Sequence, residues 1–101
     1  TGRSIDAEEA HRWGVVNEVV EPEALRERTW EIARQLADGP PLVFAAIKEV
    51  VREAEVLRAQ EALRRVGKRE FPTVDRLYDS DDQLEGARAF AEKREPKWKG
   101  R

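Results

Sequence analysis

The stretch LADGPPLVFAAIKEVV, residues 36–51, decides the fold class of this 101-residue chain. Gly39 and the two prolines after it end a helix, because proline lacks an amide donor and disfavours helical angles in the residue before it. From Leu42 onward the apolar residues recur at helical spacing and the charged residues occupy the other side. The apolar positions are Val43, Ala46, Ile47, Val50, Ala54 and Leu57. The stretch therefore predicts two amphipathic helices joined by a sharp turn.

Similar periodicity continues in both directions along the chain. We predict helices over residues 7–13, 22–38, 42–57, 59–70 and 81–94, with a helical turn or two around Val74, Leu77 and Tyr78. Asp6 with Glu9, and Ser80 with Gln83, have the spacing of capping boxes at two helix starts. VVNEVV, residues 15–20, is the one strand candidate. The expected fold class is mainly α, with about five helices and at most one short strand.

Two of these helices carry apolar stripes, and we expect the first of them to be buried. In the helix over 22–38 the stripe comprises Leu25, Thr29, Ile32, Ala33 and Leu36. In the helix over 59–70 it comprises Ala59, Ala62, Leu63 and Val66. Side chains at this spacing lie on one face and need a partner surface.

The composition excludes several classes of site. Charged residues make up 40% of the chain, a high fraction that suits slender amphipathic helices better than a deep sheet core. The absence of cysteine rules out disulfides and thiolate zinc sites, and a single histidine argues against a transition-metal centre. No apolar run approaches membrane-spanning length and no signal-peptide pattern opens the chain, so a cytoplasmic location is the expectation.

The titratable residues form no catalytic constellation. His11 has no visible orienting partner and is expected at the surface or its boundary. Glu49 and Glu53 lie among Arg and Lys at helical spacing, which is typical of a solvated face. The motifs of serine hydrolases, zinc peptidases, phosphate-binding loops and dinucleotide-binding folds are absent. We therefore assign no catalytic residue and no metal ligand.

The end of the chain is basic, whereas the rest is acidic. Residues 92–101, EKREPKWKGR, hold five basic and two acidic groups, so the chain's net charge of −2 leaves −5 for residues 1–91. On a continuous helix Phe90 and Lys93 share a face that offers a ring for stacking and a charge for phosphate. Charge and spacing leave two interpretations open: an anion-facing patch, or aromatic packing residues within a soluble end.

Three segments, in this order, resemble the C-terminal part of the crotonase (enoyl-CoA hydratase/isomerase) superfamily. They are TGRSIDAEEAHRWGVVNEVV (1–20), LADGPPLVFAAIKEVV (36–51) and SDDQLEGARAFAEKREPKWKGR (80–101). Within the superfamily, FPTV (71–74) together with residues 89–101 most resembles one dehydratase branch.

This resemblance implies that residues 1–101 are a single C-terminal helical domain of a longer enzyme whose catalytic spiral core is not present. In the superfamily that core supplies the amides that hold the thioester oxyanion and the carboxylates that move water. The implied function is to complete an acyl-CoA hydratase or dehydratase that acts on a coenzyme A thioester without a tightly bound cofactor. Residues 1–101 alone are expected to be inactive.

The resemblance also implies roles for the end of the chain. In related enzymes the terminal helix reaches a neighbouring subunit's ligand, and the residues matching Phe90 and Lys93 lie near the adenine and the 3′-phosphate of coenzyme A. Arg94 is either a helper at that site or a structural ion-pair partner. Trp98 is expected to pack across a subunit boundary. The implied assembly is a homo-oligomer, a trimer or a dimer of trimers.

Two other function classes fit the residues less closely. One is a stand-alone helical protein-interaction module without enzymatic activity, whose apolar faces pair with a partner. The other is a nucleic-acid binder that uses the basic end. The acidic body disfavours nucleic acid, since phosphate binding depends on an excess of cations along the surface.

Overall fold

The computed structural model describes residues 2–101, which form six α-helices. The helices are α1 Ala7–Arg12, α2 Leu25–Ala37, α3 Pro41–Ala54, α4 Ala59–Gly67, α5 Pro72–Tyr78 and α6 Asp81–Glu92. Residues 2–101 contain no β-strand, so the strand candidate at 15–20 is wrong. A strand needs a neighbouring strand to complete its hydrogen-bond ladder, and the described residues offer none. The mainly α fold class is confirmed. The sixth helix is α5, which the sequence indicated only as a turn or two.

The chain divides into two compact units, Thr1–Arg34 and Gln35–Arg101, with the boundary in the last turn of α2. In the first unit, α1 has the predicted cap at its start and a glycine after its end. The Asp6 carboxylate accepts the Glu9 amide at 2.7 Å, and Gly14 ends the helix with a φ of +72°. The Glu9 side chain does not complete the capping box, because its carboxylate pairs with Arg3 instead.

Helix α2 differs from the prediction in its start and in its burial. It begins at Leu25, after a turn at residues 22–24 in which the Ala24 amide bonds to the Glu21 carbonyl at 3.0 Å. The predicted burial of its apolar stripe is wrong for this chain, since no residue of α2 is buried and Leu25 is 60% exposed. Periodicity creates an apolar face, but only another element can cover it.

The second unit has a small core formed mainly by α3 and α5. Its buried members are Ala46, Phe71 and Val74, and the partly buried side chains around them are Val50, Leu57, Val66 and Leu77. The predicted face of α3 is therefore confirmed along its centre, whereas Ile47 remains 53% exposed. On α4, Val66 packs toward the core, whereas Leu63 on the same predicted apolar side is exposed.

Glu49 of α3 has a structural role that the sequence pattern did not indicate. Its carboxylate accepts the backbone amide of Thr73 at 2.9 Å and also the Thr73 hydroxyl. These bonds satisfy a free amide in the first turn of α5, which has no capping side chain of its own. The prediction that Glu49 belongs to a solvated face is therefore wrong, because its partner lies 24 residues away.

Candidate functional site

The candidate site is the end of α6 and the chain that follows it, residues 89–101. Helix α6 begins as predicted at Ser80, whose hydroxyl oxygen accepts the Gln83 amide at 3.1 Å. It ends at Glu92, two residues earlier than predicted, because Lys93 takes a left-handed conformation with φ 54° and ψ 41°. The prediction that Phe90 and Lys93 share a face of one continuous helix is therefore wrong. Lys93 lies in the turn that closes the helix.

Phe90 and Lys93 are both open to solvent. Phe90 lies in the last turn of α6 and is 88% exposed, although the residue before it, Ala89, is buried. Lys93 is exposed, and within residues 2–101 its ammonium has no ion-pair partner. An exposed ring followed by an unpaired cation three residues later suits a ligand that has both an aromatic system and an anionic group.

Arg94 is an ion-pair partner in this structure. Its guanidinium grips Glu85 with two bonds of 2.6 and 3.0 Å, and its Nε donates to Glu92 at 2.6 Å. The hydrogen bond from Arg94, aided by the Lys97 amide, lowers the pKa of Glu85 to about 2. Of the two roles expected for Arg94, its contacts match the structural one.

The basic end of the chain folds back onto the acidic start of α6. The carboxylate of Asp82, which is only 3% exposed, accepts the amides of Lys99 at 2.7 Å and Gly100 at 2.8 Å. The Asp82 amide donates in turn to the Arg101 carbonyl at 3.2 Å, and Glu85 accepts the Lys97 amide at 2.8 Å. Backbone amides thus occupy the Asp82 carboxylate, and the Lys97 amide shares the Glu85 carboxylate with the Arg94 guanidinium.

Sequence reasoning missed this docking. Acidic residues in the first turn of a helix are favoured by the helix dipole alone, so their presence at the start of α6 does not indicate a docked segment. Burial of Asp82 depends on the chain returning from seventeen residues further on. The spacing of acidic residues and of the basic end carries no signal for that return.

The Trp98 side chain packs against α6. A methyl group added at Gly86 would come within 3.3 Å of the indole Cη2, so the ring covers this glycine closely. Trp98 is half-buried, and it helps to line a cavity of about 280 Å³ with side chains of α3 and α6. The expected packing across a subunit boundary stays a prediction, and the indole has a contact within its own chain.

His11 is exposed, which confirms its predicted surface position. Over residues 2–101, no cluster of three or more His, Cys, Asp or Glu side chains is arranged to hold a metal ion. None of the helices described has the length and apolar character needed to cross a membrane.

Comparison of the whole chain with known proteins shows which family it belongs to. A family model described as enoyl-CoA hydratase/isomerase matches residues 1–101. The chain belongs to the enoyl-CoA hydratase/isomerase family. The resemblance of the three sequence segments to this superfamily is thereby confirmed.

Curated relatives refine the likeness. The carnitinyl-CoA dehydratase of Citrobacter koseri is 45% identical over 101 residues, which cover all of this chain and 39% of that protein. The carnitinyl-CoA dehydratase of Salmonella typhimurium is 46% identical with the same coverage. The dehydratase branch indicated by FPTV and residues 89–101 is therefore confirmed as the carnitinyl-CoA dehydratases. The chain spans about 39% of the length of these relatives.

Solved structures of the family show the same fold. An enoyl-CoA hydratase subunit I from Geobacillus kaustophilus superposes with a TM-score of 0.86 at 40% identity, covering 99% of this chain and 37% of that one. An enoyl-CoA hydratase from Bacillus anthracis superposes with a TM-score of 0.85 at 32% identity, with the same coverage. The helical arrangement described above is thus one that this family adopts.

Proposed function

We propose that residues 1–101 form the C-terminal helical domain of a coenzyme A thioester hydro-lyase of the carnitinyl-CoA dehydratase type. The observation that carries the proposal is the match of the whole chain to carnitinyl-CoA dehydratases at 45% identity. In such a reaction, donors that polarise the thioester carbonyl acidify C2, and water is lost or added across C2–C3. The groups that do this belong to the rest of the enzyme, and residues 1–101 alone are inactive.

The exposed apolar side chains support a role in subunit packing. Leu25 and Trp30 of α2, and Ile47 and Val51 of α3, are each more than half exposed. Apolar surface of this kind marks an interface that another part of a protein covers. In the proposed enzyme, the catalytic core and neighbouring subunits of a trimer, or of a dimer of trimers, cover these faces.

The end of α6 contributes to the coenzyme A site of a neighbouring subunit. Phe90 stacks on the adenine, for which its 88% exposed ring is available. Lys93 pairs with the 3′-phosphate, since its ammonium has no other ion-pair partner within residues 2–101. Both contacts lie far from the reacting C2–C3 bond.

Replacing Lys93 tests this assignment in the full-length gene product. Lys93→Ala should raise KM for carnitinyl-CoA by about 5- to 30-fold, because one charge-assisted phosphate contact contributes about 1–2 kcal/mol. The kcat should change little, because the contact is equally present in the ground state and the transition state. Formation of the conjugated enoyl thioester can be followed by its ultraviolet absorbance.

The matched controls are a second lysine and a second substrate. Lys48→Ala removes an exposed cation from α3 and should leave KM unchanged. A thioester of 3′-dephospho-coenzyme A should be turned over equally well by wild type and Lys93→Ala. An unchanged KM for Lys93→Ala with the normal substrate contradicts the assignment of Lys93. No dehydration of carnitinyl-CoA by the wild-type gene product contradicts the proposed reaction.

The second candidate is a stand-alone helical protein-interaction module, and the exposed faces of α2 and α3 favour it. On this proposal residues 1–101 form a stable oligomer, or a complex with another protein, that coenzyme A thioesters do not affect. Sedimentation of the 101-residue chain with and without a coenzyme A thioester separates the two candidates. A chain that stays inert alone but restores activity to a separately expressed catalytic core supports the enzyme.

A further inference from the structure

The turn that carries Lys93 is held by a network centred on Glu85. The turn itself has two backbone bonds, from the Lys93 amide to the Phe90 carbonyl at 3.3 Å and from the Arg94 amide to the Ala89 carbonyl at 3.1 Å. In addition, both carboxylate oxygens of Glu85 accept hydrogen bonds from the Arg94 guanidinium. The side chain next to Lys93 is therefore tied to a residue nine positions earlier on α6.

Glu85 also holds the chain beyond the turn. Its Oε1 atom accepts the Lys97 amide at 2.8 Å. One carboxylate therefore bonds both Arg94 and Lys97, the residues that flank positions 95 and 96. The Arg94 Nη1 atom donates to the Glu95 carbonyl at 3.1 Å as well. A bidentate arginine–carboxylate pair within such a network fixes geometry better than an isolated surface pair.

Lys93 needs this support because of its backbone. Its φ of 54° lies in the left-handed region, which glycine adopts freely and a lysine only at a cost. The Asp82 carboxylate binds the amides of Lys99 and Gly100 further on, but it has no contact with the turn itself. Arg94 bonds both Glu85 and Glu92, and of these two carboxylates Glu85 is the one that also accepts the Lys97 amide.

We propose that Glu85 is a positioning residue for coenzyme A recognition, because it fixes, through Arg94 and the Lys97 amide, the left-handed turn that presents Lys93. This inference rests on the proposed function of Lys93. It assigns the two cations different tasks: Arg94 is committed to Glu85, and Lys93 meets the phosphate. Glu85 itself touches no ligand.

The test is a double-mutant cycle in the full-length gene product. Glu85→Gln keeps the shape of the side chain and an oxygen that can accept the Lys97 amide. It removes the negative charge and with it the bidentate ion pair with Arg94. It should raise KM for carnitinyl-CoA about fivefold with kcat unchanged, the effect expected when such a pair is weakened. In the Lys93→Ala background the same change should leave KM unaltered, since Glu85 acts through Lys93.

Two further measurements separate positioning from general stability. Glu61→Gln weakens a comparable network on α4, where Glu61 bonds Arg64 and Arg65, and should leave KM unchanged. Amide hydrogen exchange of the free protein should quicken at Arg94 in Glu85→Gln and stay slow in Glu61→Gln.

Each outcome decides a separate point. If Glu85→Gln raises KM by the same factor with and without Lys93, or leaves KM and Arg94 exchange unchanged, the positioning role is overturned. If Lys93→Ala alone leaves KM unchanged, the proposed function of Lys93 fails, and the role of Glu85 in recognition fails with it. Faster Arg94 exchange in Glu85→Gln would then assign Glu85 to the turn's structure alone.

Discussion

The two units of the chain are stabilised in different ways. In Thr1–Arg34 the one buried hydrophobic residue is Ala10 among those described, and order there comes from local bonds such as the Asp6 cap of α1. Gln35–Arg101 has a core around Phe71 and a folded-back end held by Asp82. Local signals suffice to form helices, but a unit with few buried side chains gains little from packing.

The largest expected effect breaks the core of the second unit. Phe71→Ala removes a ring that is only 4% exposed, and it should lower the free energy of unfolding by about 3–5 kcal/mol. Leu25→Ala in the first unit removes a side chain that is mostly in solvent, and the cost should be under about 0.5 kcal/mol. Urea unfolding of the 101-residue chain, followed by circular dichroism, measures both.

The same pair sharpens the comparison in the full-length gene product. If the faces of α2 are covered there, Leu25→Ala should cost about 2 kcal/mol or more, as for a buried leucine. An equally small cost in both proteins would show that α2 stays uncovered. That result would count against a role of α2 in subunit packing.

A smaller effect is expected where the chain folds back onto α6. Asp82→Ala leaves the amides of Lys99 and Gly100 without their acceptor, which should cost about 2–3 kcal/mol because the lost bonds are to a charged group. Those two amides should also exchange faster with solvent. Asp81→Ala is the matched control, because Asp81 is exposed and its ion-pair contact is with Arg101 at 4.0 Å. Equal losses from both variants would contradict the docking role of Asp82.

The smallest effect is a dependence of stability on pH. Hydrogen bonds from Arg64 and Arg65 lower the pKa of Glu61 from 4.5 to about 2, and those from Arg94 and the Lys97 amide do the same for Glu85. Because these pKa values are lower in the folded state, their contribution is complete above about pH 4.5 and is lost as the pH falls toward 2. Urea unfolding measured at a series of pH values from 7 to 2 should show the midpoint concentration decreasing between about pH 4.5 and pH 2.

The control for this dependence is the double variant Glu61→Gln, Glu85→Gln. It should show a shallower loss of stability between pH 4.5 and pH 2 than the wild-type chain. Both glutamates belong to the second unit, so the difference between the two pH profiles should come mainly from the stability of that unit. An identical pH profile in the double variant would mean that neither ion pair is strong enough in solution to matter.

Much of the fold and part of the site follow from local patterns. The caps at Asp6 and Ser80, the left-handed Gly14 and the six helical segments each depend on residues within a few positions of one another. Two of the predictions failed because the deciding partner was remote or absent. Glu49 caps α5 from another helix, and the stripe of α2 has no cover in this chain.

At the end of the chain, the amino-acid order supplies an aromatic residue at 90, a cation at 93 and basic residues after Pro96. Which of the neighbouring cations has no ion-pair partner within residues 2–101 depends on the fold. Arg94 and Lys93 are adjacent and both charged, but the Glu85 carboxylate lies within reach of one of them. The physical reason is that spacing along the chain fixes neighbours on a helix, whereas a turn and a returning segment bring together groups that spacing cannot relate.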